Sequence, residues 1–185
     1  MKKKFNKTFP NDVMAVRRRA REHTDGGAVT EGYRADRKMV LKLLNEALAT
    51  ELVCVLRYKR HYFMADGIYA GPVAQEFLAH AADEQAHADQ IAARIIQLGG
   101  EPDFNPEGLL TRSHSEYVEA ESLVEMIKEN LVAERVAIDS YAGMIRYLGD
   151  DDPTTRRMAE DILAKEEEHA EDLASFLATL DVSKR

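Results

Sequence analysis

From Leu44 onward the apolar residues recur at alternating spacings of three and four, the signature of helices with one buried stripe. The first stripe reads Leu44, Leu48, Glu51, Val55, Tyr58, Tyr62, and the second Phe77, His80, Glu84, His87, Ile91, Ile95, Leu98. The third is Val124, Ile127, Leu131, Glu134, Ile138, Tyr141, Ile145, Leu148, and the fourth Ile162, Glu166, His169, Leu173, Phe176, Leu180. These rows predict four long helices. The first runs from about Asp36 to Ala65 and stops at Asp66-Gly67; the second opens after Gly71 with Pro72 in its first turn and ends at Gly99-Gly100. A linker, Glu101 to Arg112, holds Pro102, Pro106 and Gly108. The third helix is expected to begin near Ser113 or Ser115, with Ser113-x-x-Glu116 as its capping box, and to reach Leu148 before Gly149. Asp152 then caps the fourth, with Pro153 at its first position, and the periodicity lasts to about Leu180. No run is β-rich. At ~1.5 Å per residue such helices are on the order of 40 Å long, which predicts an all-α, up-and-down four-helix bundle with a longer crossover between the second and third.

Before residue 36 the pattern lapses and the charge changes. Residues 1–38 carry eleven Lys/Arg against five Asp/Glu, a local net of +6, while the whole chain of 185 residues has a net charge of −8; the rest therefore carries −14. The division expected is a basic, loosely attached arm over residues 1–35 and one folded domain over 36–185. Hydrophobic content of 45% is ample for a core without staples. The overall acidity excludes a uniformly basic nucleic-acid-binding domain, and one cysteine, Cys54, excludes a disulfide framework and multi-cysteine metal sites. No charge-free stretch is long enough to span a membrane and no signal-peptide core follows the basic start, so a cytoplasmic location is expected.

The chemistry lies in the stripes themselves. Each contains a glutamate among apolar residues, and the second and fourth carry Glu-x-x-His. A buried unpaired carboxylate costs several kcal/mol, and of the basic residues only Arg94 falls close to a stripe. Two histidines do not offset four anions, whereas two divalent metal ions do. Residues three apart share a helix face, so each Glu-x-x-His delivers an oxygen and a nitrogen to one point on the bundle axis.

With nineteen Glu and six His, about 0.6 Glu-x-x-His matches are expected by chance, so the motif alone decides little. The layout decides more. Glu51 to Glu84 is 33 residues and Glu134 to Glu166 is 32, and Tyr58 and Tyr141 each follow a stripe glutamate by seven. The two halves repeat one pattern, which implies a pseudo-twofold axis through a two-metal centre. With these residues the chain resembles the ferritin-like superfamily, in particular bacterioferritins and Dps-like ferritins with a di-iron site inside each subunit, over about residues 36–180. The resemblance implies Glu51 and Glu134 as terminal ligands, Glu84 and Glu166 as bridging ligands, and His87 and His169 as terminal nitrogen ligands. Tyr58 matches the family's tyrosine beside the site. It further implies two iron ions per subunit, with manganese or zinc as substitutes, and a ferroxidase reaction in which O₂ or peroxide oxidises Fe(II) and the product is stored in a protein cage.

Three departures shape the expectation. Where similar bacterioferritins place a haem-binding methionine stands Gln85, so no haem is expected. Only 16 residues follow His169, short of a fifth helix, so a dodecamer is favoured over a 24-mer. Asp83 precedes Glu84 as an acid that would orient a ligand, but its repeat partner is Lys165, so the two half-sites are unequal. His80 is either a hydrogen-bonded core histidine or a transient iron ligand. Cys54 reads as a small buried hydrophobe or a redox-active thiol, and Tyr58 and Tyr141 as packing residues or electron donors. Glu167 and Glu168 are expected in solvent or along an iron path. Two further functions compete: a rubrerythrin-like di-iron or dimanganese peroxidase or catalase, which lacks its usual cysteine module here, and a DNA-protecting binder acting through the basic arm.

Overall fold

The computed structural model describes residues 12–22 and 24–182, except for the side chains of Asp25, Asp181 and Val182. Its helices are α1 Val13–Glu22, α2 Arg37–Met64, α3 Ala70–Gln97, α4 Leu109–Arg112, α5 Leu123–Leu148 and α6 Pro153–Val182. Among the described residues there is no strand, and no helix is long and apolar enough to cross a membrane. The long helices α2, α3, α5 and α6 form the expected four-helix bundle, α2 pairing chiefly with α3 and α5 with α6.

Local chemistry sets most of the helix ends. Asp36 accepts a hydrogen bond from the Met39 N–H at 3.2 Å and so caps α2. Gly99 takes φ +71°, and the Gly100 N–H returns to the Ile95 carbonyl at 2.9 Å, closing α3. A Cβ at Gly100 would lie 2.4 Å from Leu41 Cδ2, so glycine there also lets the end of α3 press onto α2. Asp152 Oδ1 accepts from the Thr155 N–H at 2.9 Å ahead of Pro153, as expected.

The start of α5 differs from expectation. The capping box that forms is Ser122 with Glu125, not Ser113 with Glu116, and α5 begins at Leu123. Residues 113–119 are instead spent on fastening the crossover to α2. The His114 N–H donates to Thr50 Oγ1 at 3.0 Å, Arg57 donates to the Glu116 carbonyl at 2.7 Å, and Arg60 to the Glu119 carbonyl at 2.9 Å. A seven-residue stretch pulled sideways onto α2 cannot also continue the axis of α5.

The arm holds a helix that the sequence pattern did not reveal. All of α1 is unburied, whereas Val29, Tyr33 and Ala35 pack against the bundle core. Tyr33 Oη donates to Asp152 Oδ2 at 2.9 Å and Arg34 to the Asp150 carbonyl at 2.7 Å. Residues 29–35 are thus docked rather than loose; the arm's first eleven residues lie outside the described part.

The core consists of two apolar blocks along the bundle axis. One gathers Leu44, Leu48, Ile91, Ile95, Leu148 and Ile162, and the other Val73, Phe77, Met126, Ile127 and Leu173. Tyr141 belongs to the first and Tyr58 to the second, and the polar centre sits between them.

Candidate metal centre

All four stripe glutamates turn inward. Glu51, Glu84, Glu134 and Glu166 are at most 1% exposed, with His87 and His169 beside them. Their ligand atoms fall into two sets, each within 4.8 Å: Glu51, Glu84, His87 and Glu166, and Glu84, Glu134, Glu166 and His169. Glu84 and Glu166 belong to both. His87 Nδ1 lies 3.0 Å from Glu166, 3.3 Å from Glu84 and 3.4 Å from Glu51, while His169 Nδ1 lies 3.7–3.9 Å from Glu84, Glu134 and Glu166. The structure therefore brings together all six residues singled out from the sequence, in a two-centred arrangement that follows the internal repeat.

Each tyrosine serves the opposite half. Tyr58 on α2 donates to Glu134 on α5, and Tyr141 on α5 donates to Glu51 on α2, which pins both unshared carboxylates. The symmetry breaks at the next layer. His169 Nε2 donates to Asp83 Oδ2 at 3.2 Å, which leaves its Nδ1 lone pair facing the centre. Asp83 thus steadies the histidine across the bundle rather than its own neighbour. The corresponding Lys165 bonds Glu168 at 2.7 Å, and no carboxylate holds His87 Nε2 among the described residues.

The electrostatics are those of crowded anions. Burial, followed by the charges of Glu51 and Glu134, raises Glu84 well above the carboxylate range. Burial and the charge of Glu166 raise Glu134; burial with Glu84 and Glu51 pushes Glu166 up to about 8. His87 moves the other way. Burial opposes its charge, but the carboxylates of Glu166, Glu51 and Glu84 crowded around Nδ1 outweigh it and hold the imidazolium up to about 12. Glu51 stays low, since hydrogen bonds from Glu84 and His87 overcome its burial. Even so, Glu84 Oε1, both Glu166 carboxylate oxygens and His169 Nδ1 are buried without a hydrogen-bond partner. Protons alone leave the centre incompletely satisfied.

His80 is 2% exposed and stacks on His169 with ring centroids 3.9 Å apart. Burial, then the nearby His169, lowers its pKa to about 3. Cys54 is buried, and burial raises its thiol well above the ordinary value, as suits a small hydrophobe. Glu167 and Glu168 face solvent. Gln85 bonds Asp89 one turn on at 3.0 Å.

Two polar features escaped the sequence pattern. Arg94 is bound to Asp152 and Thr155, and it is not the only basic residue near the core. Arg57 is fully buried, with Nε donating to Asn130 Oδ1 at 2.9 Å. It lies on a second α2 stripe, Thr50, Cys54, Arg57 and His61, all buried, of which Thr50, Arg57 and His61 bond the crossover. The spacing of four, three and four was visible; its mixed chemistry masked it.

With this geometry in place, the comparisons are consistent. The ferritin-like domain family matches residues 41–182, and the chain belongs to that family. The bacterioferritin of Desulfovibrio desulfuricans is 31% identical over 140 residues, 75% of this chain and 74% of that protein. Among solved structures, the bacterioferritin-related protein from Bacteroides fragilis, described as a dodecameric thioferritin, is similar with a TM-score of 0.79 and 32% identity. That match covers 82% of this chain and 91% of the other. A ferritin-like diiron-carboxylate protein from Bacillus anthracis aligns with a TM-score of 0.68 at 29% identity, over 77% and 97% of the two chains.

Proposed function

We propose that the protein oxidises and stores iron, binding two Fe(II) per chain at the dinuclear centre and oxidising them with O₂ or peroxide. The observation that carries this reading is the pair of shared carboxylates, Glu84 and Glu166, of which Glu84 Oε1 and both Glu166 oxygens are buried without a partner between two histidine-containing sets. Oxygen and imidazole donors suit iron, and manganese or zinc in its place. In this reading Glu84 and Glu166 bridge the two ions, while Glu51 with His87 and Glu134 with His169 complete the two ends. The ferrous pair supplies two electrons to the oxidant.

The chain's own groups do the rest. Tyr58 and Tyr141 fix the terminal carboxylates, Asp83 fixes His169, and the two apolar blocks keep bulk water out. Iron displaces protons from Glu84, Glu134, Glu166 and His87, so loading releases acid. Anaerobic titration should give about two Fe(II) per chain. Glu51→Ala and Glu134→Ala should each abolish fast oxidation; oxidation at the parent rate in both would refute the assignment. With Gln85 at the position in question, the isolated protein should show no Soret band.

The dodecameric description of the Bacteroides fragilis relative supports a twelve-subunit cage here, measurable by light scattering. The exposed arginines of α1, Arg17, Arg18, Arg19 and Arg21, are assigned to contacts with neighbouring subunits. DNA is the competing partner. Deleting residues 1–22, which spares the Tyr33 and Arg34 contacts, separates the two: collapse of the oligomer supports assembly, and lost DNA retention by an intact cage supports DNA binding.

A further inference from the structure

We propose that Glu76, His80 and Asp172 form a third cation site on the flank of the bundle, which takes a divalent first-row metal ion and passes iron inward to the dinuclear centre. Glu76 and His80 stand one turn apart on α3, and Asp172 reaches across from α6. Their ligand atoms lie within 4.8 Å of one another, with His80 Nε2 3.3 Å from Glu76 Oε1 and 3.9 Å from Asp172 Oδ2. Two donors held at about 2.1 Å by one tetrahedral ion stand about 3.4 Å apart, so small side-chain adjustments suffice.

Tautomer logic is the stronger ground. Tyr58 gives its one hydroxyl proton to Glu134, so its oxygen accepts from the His80 Nδ1–H at 3.1 Å. A neutral His80 then presents a bare lone pair at Nε2. That atom is buried, has no hydrogen-bond partner, and faces two carboxylates that also carry only lone pairs. Three acceptors converging on one point repel each other unless a cation stands among them. A histidine whose second ring N–H is held by a neighbour is also the usual form of a metal-binding imidazole.

The location fits a transfer post. The Glu76 and Asp172 side chains are 34% and 44% exposed, whereas those of Glu51 and Glu84 are at most 2% exposed, so an incoming ion sheds only part of its water at the outer site. Asp83 and Glu168 add negative charge around Glu76. Inward, His80 stacks on His169 and shares a ligand-sized cluster with Glu134 and His169. The internal repeat offers no second copy, because the positions matching Glu76, His80 and Asp172 are Met158, Ile162 and Gln90. Iron therefore enters from one side of the pseudo-symmetric centre.

The transfer role rests on the iron-oxidising reading, while the binding site does not. Anaerobic cobalt(II) titration, followed by visible absorption, should give about three ions per chain, two in the dinuclear centre and one beside His80. The double variant Glu76→Gln/Asp172→Asn, isosteric at part-exposed positions, should lose one equivalent and the anomalous diffraction peak next to His80 Nε2. Equal cobalt counts in parent and variant, or no cobalt density beside His80, overturn the site. Loss of a single ion by the variant when neither protein binds a pair upholds the outer site and sinks the dinuclear reading instead. In stopped-flow oxidation the variant should lag the parent at low Fe(II) and match it at saturating Fe(II); identical rates at low iron overturn the transfer role.

Discussion

The buried polar clusters around Arg94 and around the four stripe glutamates lie in one bundle, and of these two only the first is complete. Around Arg94 every charge finds its counterpart: one guanidinium group donates to Asp152 at 2.9 Å, to Thr155 at 2.8 Å and to Gln97 at 3.1 Å. Asp152 also accepts from the Thr155 N–H and hydroxyl and from Tyr33. The Thr155 bonds, with Tyr33 and the nearby Arg94, outweigh burial and hold the Asp152 carboxyl below its ordinary range. The dinuclear centre has the reverse balance: four carboxylates, two imidazoles, raised carboxyl groups and orphaned acceptors. The first cluster is built to hold the fold, and the second to be completed by cations from outside.

Breaking each cluster should therefore change stability with opposite sign. Asp152→Ala strands a buried Arg94 and removes the cap of α6, and should destabilise the protein by about 3–5 kcal/mol in denaturant unfolding. Arg94→Ala should do likewise.

Above about pH 8, where the Glu166 carboxyl has lost its proton, Glu166→Gln removes a repelling charge and should stabilise the metal-free protein by about 1–3 kcal/mol. Destabilisation of the metal-free form would mean that its carboxylates are satisfied without metal. The same imbalance sets a pH dependence. Glu166 keeps its proton up to about 8 in the fold but gives it up near 4.5 when unfolded, so its contribution is complete below 4.5 and is lost as pH rises through 8. Raised Glu84 and Glu134 act in the same direction. The metal-free protein should thus lose stability between about pH 4.5 and 8, and added divalent metal should reverse the trend.

The asymmetry between half-sites gives a finer test. Asp83→Asn should weaken one of the two metal equivalents by roughly 10–100-fold and leave the other near its parent affinity, since only His169 depends on Asp83. Equal weakening of both would show that the half-sites are coupled rather than separately tuned.

What the sequence revealed, and what it hid, follows from the range of the interactions involved. Asp36, Pro153, Gly99 and Gly149 act within a turn of their own positions, so most helix ends were legible. The centre was legible because a glutamate inside an apolar stripe violates the pattern, and because the violation occurs four times in a repeat. The start of α5 was not: Ser113-x-x-Glu116 and Ser122-x-x-Glu125 are equivalent as local signals, and only the pull of Thr50 and Arg57 on the crossover decides between them. The partner of Asp83 lies across the bundle, 86 residues away, and is settled by packing alone.

The docking of the arm belongs to the same long-range class and provides the smallest test. Tyr33 reaches Asp152 over 119 residues of chain and lies beside Val29 and Ala35 against the apolar block of Leu44 and Ile95. Burial and the hydrogen bond to Asp152 raise the phenol well above its ordinary pKa, so it stays a proton donor at all working pH values. Tyr33→Phe keeps the ring and deletes one bond to a carboxylate that retains Arg94 and both Thr155 donors. The cost should be about 1 kcal/mol, or about 2–4 °C in Tm for a chain of this length, with iron binding unchanged. An unchanged Tm would show that the apolar contacts of residues 29–35 hold the arm by themselves. A loss approaching that of Asp152→Ala would show that Tyr33 is required to keep the Arg94 cluster closed.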